Sequence, residues 1–215
     1  MDSETTQSAR PFRRLRPASV RDVRITDSFW APKLHTLRTV TINDAFDKFE
    51  RDGALANFDR VAQGLSGGHC GFPWFDGLVC ETIRAASDFM LAAYDPQLDA
   101  RLDGYIARIA AAQAADPDGY LNTYVTLMQP DKRWGANGGD QLWCHEEYDA
   151  GCLVEAGVHH YRATGKTSLL ALAVRFADYM CDIMGPAPKR NIVPSHPLPE
   201  EAFIELYCLL RDEPA

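Results

Sequence analysis

The stretch CHEEYDAGCLVEA, which runs from Cys144 to Ala156, decides the fold class of this chain. Its apolar residues fall on more than one face of a helix, and a helix that is apolar most of the way round lies in the interior of a protein. Two titratable residues, His145 and Glu146, occupy its first turn. The stretch therefore predicts an inner helix that carries polar groups at its N-terminal end.

A repeated pattern extends this prediction along the chain. Glu155-Ala156, followed by Tyr161, recurs 46 residues later as Glu201-Ala202, followed by Tyr207. Each unit has the order loop, inner helix, tight turn and outer helix. Helix pairs that repeat at such a period stack into a solenoid or close into a toroid. We therefore predict an all-α fold, part of an α/α toroid with about three helix-pair units.

Helical periodicity and strong breaks divide the rest of the chain. The predicted helices cover about 29–51, 76–93, 97–115, 145–163, 167–184 and 199–211. Residues 53–74, 116–142 and 189–199 are predicted connections, because Gly and Pro interrupt them. Residues 1–19 are a predicted flexible tail, and residues 20–25 a short N-terminal extended arm. In a toroid the three connections emerge at one end, so they should meet where the His145 helix begins.

The charge balance excludes some classes of partner. A formal net charge of −8 argues against a surface for nucleic acid or for an anionic membrane. No stretch approaches the roughly 20 apolar residues that a membrane-spanning helix needs. Residues 1–19 also lack the apolar run of a secretory signal. We therefore expect no nucleic-acid partner, no membrane partner and a cytoplasmic location.

The six cysteines do not predict a metal site or a disulfide framework. None forms a CxxC pair, and four lie within predicted helices, where a free thiol behaves as a small buried apolar group. A chain of 215 residues can also build a core without disulfides. We expect no metal to be bound by residues of this chain.

Two histidines mark the predicted end of the toroid where the connections meet. His145 and Glu146 begin the inner helix, and His196 holds the equivalent place one repeat later, between Pro194 and Pro197. A helix N-terminus favours the neutral form of an imidazole. A neutral ring suits a hydrogen bond to a sugar hydroxyl. The alternative is that His145 is a packed ring and that Glu146 only complements the helix dipole.

The connections supply the other candidate site residues. Trp74 belongs to a connection with many rings, and an aromatic ring can stack on the CH groups of a sugar. Asp118 and Tyr120 place a carboxylate and a ring at a predicted turn. Packing explains these rings equally well, and Asp-Gly is a general turn signal. The candidate substrate-binding residues are His145, His196, Glu146, Asp118, Tyr120 and Trp74.

Motifs for known hydrolytic chemistry are not evident in the residues alone. The chain has no Ser-His-Asp order, no phosphate-binding Gly loop and no HExxH pattern. A glycosidase needs two groups that flank the scissile bond, and nothing singles out such a pair. The residues therefore support half of a toroid with a polar and aromatic cleft built from loops.

Four separated motifs resemble glycoside hydrolase family 127, the β-L-arabinofuranosidase-like enzymes. The run from His145 to Ala156, continued by HYRATGK at 160–166, is similar to the family pattern HE-x-Y-x-x-G-H-x-x-E-A-x-x-x-x-Y-x-x-T-G. ITDSFW at 25–30, DGYLNT at 118–123 and SHP at 195–197 resemble further family segments in the same order. Cys152 stands where the family pattern has its second histidine.

The resemblance implies an (α/α)6 barrel followed by β-sandwich domains. It also implies a retaining hydrolase that releases L-arabinofuranose through a cysteine nucleophile held in a zinc-bound cysteine and glutamate cluster. His145 and His196 would contact the sugar. The nucleophile, the zinc ligands and the acid/base glutamate would lie beyond residue 215, so this chain would contain no catalytic residue and no zinc ligand.

We therefore predict that residues 20–215 are the N-terminal half of an (α/α)6 catalytic domain, truncated after its third inner helix. The chain would belong to an enzyme for terminal sugars of plant-type glycans, and alone it would be weakly active or inactive. Its open flank would bind a C-terminal-half partner or a second copy. Two alternatives are a non-catalytic carbohydrate-binding or scaffold protein and another α/α-toroid sugar enzyme, a lyase or an epimerase.

Overall fold

A computed structural model describes residues 18–212. Within this range, the chain forms helices and no β-sheet, which confirms the all-α fold class. None of the helices in this range is long and apolar enough to cross a membrane. The helices are α1 (Trp30–Thr36), α2 (Ile42–Arg51), α3 (Ala54–Ala62), α4 (Phe75–Ala92), α5 (Pro96–Ala114), α6 (Thr123–Met128), α7 (Gln141–Cys144), α8 (Glu146–Thr164), α9 (Ser168–Ile183) and α10 (Leu198–Asp212).

Helix α8 lies at the centre of the fold. It packs against α4, α9 and α10, and buried residues such as Leu153, Val154 and Val158 lie on several of its sides. Gly157 lets α9 approach closely, since a Cβ atom at this position would lie 2.8 Å from the Ala173 Cβ. The prediction of a buried inner helix is confirmed.

The longer helices form two rows, as expected for an α/α toroid. In the inner row α2 packs on α4, α4 on α8 and α8 on α10, whereas in the outer row α3 packs on α5 and α5 on α9. Tight turns join α4 to α5 and α8 to α9. Asp95 caps α5 by accepting hydrogen bonds from the N–H groups of Gln97 (3.0 Å) and Leu98 (3.2 Å). Gly165 ends α8 with φ +75°, a conformation that glycine adopts without strain.

Two predicted connections contain helices. The prediction that residues 53–74 form a loop is wrong, because Leu55, Phe58 and Val61 have helical spacing and are buried in α3 against α5. Likewise, residues 116–142 are not only a connection, because they contain α6, the 3-10 segment Pro130–Gly138 and the first two residues of α7. Asn122 caps α6 by accepting a hydrogen bond from the Val125 N–H (2.8 Å).

The N-terminal arm is partly helical. Val20–Asp22 forms one 3-10 turn, which Ser19 caps by accepting a hydrogen bond from the Arg21 N–H (3.2 Å). Val23, which follows it, is extended. Residues 1–17, most of the predicted tail of residues 1–19, lie outside the described residues.

The three long connections meet at the N-terminal end of α8, as predicted. The Gly67 N–H donates a hydrogen bond to the Leu127 carbonyl oxygen (2.6 Å), and the Arg190 guanidinium donates one to the Trp134 carbonyl oxygen. These bonds tie the 63–74 segment to the 115–140 region, and that region to the segment that precedes α10. A site at this end of the fold is therefore built from residues distant in sequence.

Candidate functional site

His145 lies at the junction of α7 and α8 in a left-handed conformation, with φ 54° and ψ 34°. A residue other than glycine adopts this conformation at a cost of about 1–2 kcal/mol. Its Nδ1 lies 2.8 Å from the Trp143 carbonyl oxygen. Because a carbonyl oxygen only accepts hydrogen bonds, Nδ1 carries the proton and Nε2 is the acceptor of the neutral ring. The junction therefore fixes both the direction and the tautomer of the imidazole.

Three rings surround this imidazole, and together the four form a cluster that we call the ring cluster: Trp74, His145, Tyr148 and His196. The ring centroids of His145 and His196 are 5.3 Å apart, and that of Trp74 is 4.9 Å from that of His145. Tyr148 contacts both histidines, with centroid distances of 5.8 Å and 5.2 Å. His196 is exposed, and the other three rings are half-buried. Two imidazoles and an indole therefore line one accessible surface.

Two further aromatic side chains extend the ring cluster. Phe72 stacks on Trp74 with a centroid distance of 4.8 Å and an interplanar angle of 2°, and Trp143 contacts Trp74 edge-on at 5.4 Å. Phe72 is 55% exposed and Trp143 is 52% exposed. Aromatic rings with such exposure beside polar groups are typical of a binding surface.

Glu146 and Tyr120 lie beneath the ring cluster. The Glu146 carboxylate accepts hydrogen bonds from the Tyr120 hydroxyl and from the Trp134 N–H (2.9 Å). Both side chains are almost completely buried, and burial raises the pKa of Glu146 and raises that of Tyr120 well above 10. Their polar groups therefore satisfy each other and link the Tyr120 turn to the first turn of α8.

Asp118 lies away from the ring cluster. It lines an open cavity of about 630 Å³ together with Arg175 and Asp178 of α9 and with Leu210 of α10. None of the residues that line this cavity belongs to the ring cluster. Of the six predicted site residues, the structure therefore brings Trp74, His145 and His196 together, sets Glu146 and Tyr120 below them, and separates Asp118.

Buried carboxyl groups join α4, α6 and α8 under the site. Asp76 accepts hydrogen bonds from the Thr123 N–H (2.6 Å) and hydroxyl (2.7 Å), and Asp149 accepts them from the Gly77 N–H (3.1 Å) and the Asn122 amide (3.0 Å). Burial raises the pKa of Asp76 to about 6, and burial beside Asp76 raises the pKa of Asp149. These acids hold the supporting helices together.

Tyr148 is a member of the ring cluster that the sequence reasoning missed. It lies three residues after His145, and residues with this spacing share one face of a helix. The signal was therefore present in the sequence. Phe72 was not singled out among the rings of its connection, because nothing in the local sequence predicts that it stacks on Trp74.

The described residues do not fit the zinc-bound cysteine cluster that the resemblance implies. All six cysteines are free, and Cys80, Cys144 and Cys152 are buried. Among residues 18–212, the group of His, Asp, Glu or Cys side chains that is placed to share a metal ion contains no cysteine. No zinc-dependent step is therefore derived for this chain.

Comparison with known proteins identifies the family. Residues 22–214 match the family described as the β-L-arabinofuranosidase, GH127 catalytic domain. The chain belongs to glycoside hydrolase family 127. This match confirms the family that the four sequence motifs indicate. It also covers nearly all of the described fold.

Family 127 relatives support the match in sequence and in structure. The non-reducing end β-L-arabinofuranosidase of Bifidobacterium longum subsp. longum is 30% identical over 157 residues, which is 72% of this chain and 23% of that protein. A solved GH127 β-arabinofuranosidase superposes with a TM-score of 0.83 at 33% identity, covering 92% of this chain and 32% of its own. A GH127 β-L-arabinofuranosidase from Geobacillus stearothermophilus T6 gives a TM-score of 0.81 at 30% identity, covering 89% and 31%. The matched part of the chain thus spans between 23% and 32% of the length of these relatives.

Proposed function

We propose that this chain forms part of the sugar-binding cleft of a β-L-arabinofuranosidase-like glycoside hydrolase that acts on terminal sugars of plant-type glycans. The ring cluster is the observation that carries the proposal, because it joins two imidazoles to an indole on an accessible surface. Membership of family 127 supports the substrate class, since relatives carry the name β-L-arabinofuranosidase.

Each ring has a role that follows from its chemistry. Nε2 of His145 accepts a hydrogen bond from a sugar hydroxyl, because its Nδ1 donates to the Trp143 carbonyl. His196 offers a second polar contact 5.3 Å away, measured between ring centroids. Trp74 stacks on the CH groups of the sugar, and Tyr148 packs against both imidazoles and supports their positions.

Glu146 and Tyr120 support sugar binding by positioning other residues. Their mutual hydrogen bond fixes the first turn of α8, and that turn carries His145. Nothing in the surroundings of Asp118 supports a sugar contact, because its cavity shares no residue with the ring cluster.

Binding should be measured by isothermal titration of the chain with methyl β-L-arabinofuranoside. His145→Ala and His196→Ala should each weaken binding about five- to thirtyfold, because each removes a polar contact with the sugar worth roughly 1–2 kcal/mol. His35→Ala is the matched control, since His35 is an exposed residue of α1 outside the ring cluster. Equal binding by all three variants would place the sugar elsewhere.

Catalysis is expected to need residues beyond this chain. By the resemblance, the nucleophile and the acid/base glutamate follow residue 215, so the chain alone should hydrolyse an aryl β-L-arabinofuranoside weakly or not at all. Turnover at the rate of a complete family member would contradict this part of the proposal. Binding without turnover is the expected outcome.

The exposed face of α10 is the proposed contact surface for a partner. This partner is either a C-terminal half that supplies the rest of the catalytic domain or a second copy of this chain. Ile204 is 65% exposed and Tyr207 is 61% exposed on this helix. Apolar side chains with this exposure on an inner helix favour a covering partner. Light scattering of the chain with and without a C-terminal fragment of a family member tests the contact. Ile204→Lys should abolish it, whereas the same change at exposed Val40, in the π-helical segment Leu37–Thr41 between α1 and α2, should not.

A further inference from the structure

A second cluster of polar side chains lies at the opposite end of α8. His160 is fully buried, and neither of its ring nitrogens has a hydrogen-bond partner. One ring nitrogen of His160 and one carboxylate oxygen each from Asp99 and Asp103 of α5 all lie within 4.8 Å of one another. A buried polar group without a hydrogen-bond partner destabilises a fold by about 1–3 kcal/mol. We therefore expect a ligand to contact this imidazole.

The ammonium group of Lys166 currently bridges the two carboxylates. Its Nζ lies 2.8 Å from Asp99 Oδ1 and 2.7 Å from Asp103 Oδ2. Two carboxylates and one ammonium leave the cluster with a net charge of −1. Lys166 makes no hydrogen bond to His160, so both ring nitrogens of this imidazole stay without a partner. The Lys166 side chain is 37% exposed, so it can move into solvent without breaking the fold.

We propose that Asp99, Asp103 and His160 form a binding site for one divalent transition-metal ion, which replaces the Lys166 ammonium. A divalent ion neutralises the two carboxylates and takes the free electron pair of the imidazole. One nitrogen and two oxygen ligands suit Mn²⁺, Co²⁺ or Zn²⁺ better than Ca²⁺ or Mg²⁺, which prefer oxygen ligands alone.

The dimensions of the cluster agree with a metal site after small movements. Ligands of such ions lie about 2.0–2.2 Å from the metal, so two ligand atoms on one ion are at most about 4.4 Å apart. Side-chain movements on the order of 1 Å therefore complete a shell that solvent reaches from the exposed Asp103. The site is about 22 Å along α8 from His145, at 1.5 Å per residue, so it is separate from the ring cluster.

No short sequence spacing indicates this site. The two aspartates lie in α5 and the histidine in α8, and only the packing of the helix pairs brings them together. The prediction from the sequence that this chain binds no metal rested on the cysteines, and none of them takes part in this cluster.

Mn²⁺ binding, followed by the loss of its electron paramagnetic resonance signal, tests the proposal on the whole chain. Mn²⁺ is the suitable probe because thiols bind it poorly and Cys70 and Cys181 are exposed. Saturable binding is expected, together with a rise in the melting temperature. Asp103→Asn should weaken binding at least about tenfold, and Lys166→Met should strengthen it by a similar factor because the competing ammonium is gone.

The matched controls are Asp44→Asn and Lys48→Met, because Asp44 and Lys48 form an exposed ion pair (2.6 Å) on α2. Neither control should change Mn²⁺ affinity. The proposal is overturned if Lys166→Met binds no Mn²⁺, or if Asp103→Asn and Asp44→Asn bind it equally. If Lys166→Met does not fold without metal, its refolding in the presence of Mn²⁺ supports the site. If it does not refold with Mn²⁺ either, and Asp103→Asn binds Mn²⁺ with the affinity of the unchanged chain, the site is rejected.

Discussion

Replacing His145 by Gly and, separately, by Ala isolates the backbone strain at the beginning of α8. The left-handed conformation of His145 costs a residue with a Cβ atom about 1–2 kcal/mol relative to glycine. Both changes remove the ring and its bond to the Trp143 carbonyl, so these losses cancel when the variants are compared. Glycine also has more conformational freedom in the unfolded chain, which lowers the stability of the Gly variant by about 0.5–1 kcal/mol relative to the Ala variant. The Gly variant should be more stable by roughly 1 kcal/mol.

Urea denaturation measures this difference directly, and thermal melting should show a gap of about 2–4 °C for a chain of this size. The control is Ala107→Gly, a solvent-exposed position in the middle of α5. Here glycine should be less stable than alanine by about 1 kcal/mol, the opposite of the expectation at position 145. Both His145 variants should lose sugar binding alike. If the Ala variant is as stable as the Gly variant, His145 is not left-handed and the explanation of its orientation fails.

Three further predictions concern buried and half-buried positions. Glu147→Gln should raise the free energy of unfolding by about 2 kcal/mol at pH 8 and change it little at pH 5. Both carboxylate oxygens of Glu147 lack partners and burial raises its pKa to about 7, so the folded protein holds an unpaired buried charge only at the higher pH. Urea denaturation at the two pH values measures the difference. Hydrogen bonds to Asp88 and Glu205 raise the pKa of His159 to about 9. Its stabilising effect is therefore complete below about pH 6.5 and is lost as the pH rises through 9, and a melting series with His159→Gln should lack this decline. Gly157→Ala should destabilise the fold by about 1–3 kcal/mol, because the new Cβ atom would contact Ala173. Gly104→Ala should stabilise the fold by about 0.5–1 kcal/mol, because no atom lies near the new Cβ. The urea midpoints of the two variants test both expectations.

The inner helix could be predicted because its signal is local. Burial on several faces of α8 follows from apolar residues that recur through 150–158, and the Gly165 end follows from the preference of glycine for positive φ. Helix α3 was missed although Leu55, Phe58 and Val61 had the right spacing. The glycines from Gly64 onward predicted a connection, and that prediction was extended to the residues before them, which form α3.

The site could be predicted only in part. His145 and His196 were both predicted near the start of an inner helix, and their rings lie side by side although 51 residues separate them rather than the repeat length of 46. The separation of Asp118 could not be predicted, because a turn residue points toward whichever side the packing of its neighbours leaves open. The burial of Glu146 under Tyr120 likewise depends on the Trp134 segment, which has no sequence period.

The buried network under the ring cluster explains how a strained residue can hold its orientation. The left-handed conformation of His145 would relax if the first turn of α8 were free to move. Glu146 prevents this movement, because its carboxylate is bonded both to the Tyr120 hydroxyl and to the Trp134 N–H in a fully packed environment. Breaking either bond would leave a buried carboxylate short of a partner, at a cost of about 1–3 kcal/mol, which exceeds or matches the strain. The orientation of the imidazole is therefore set by two residues that need not contact a sugar themselves.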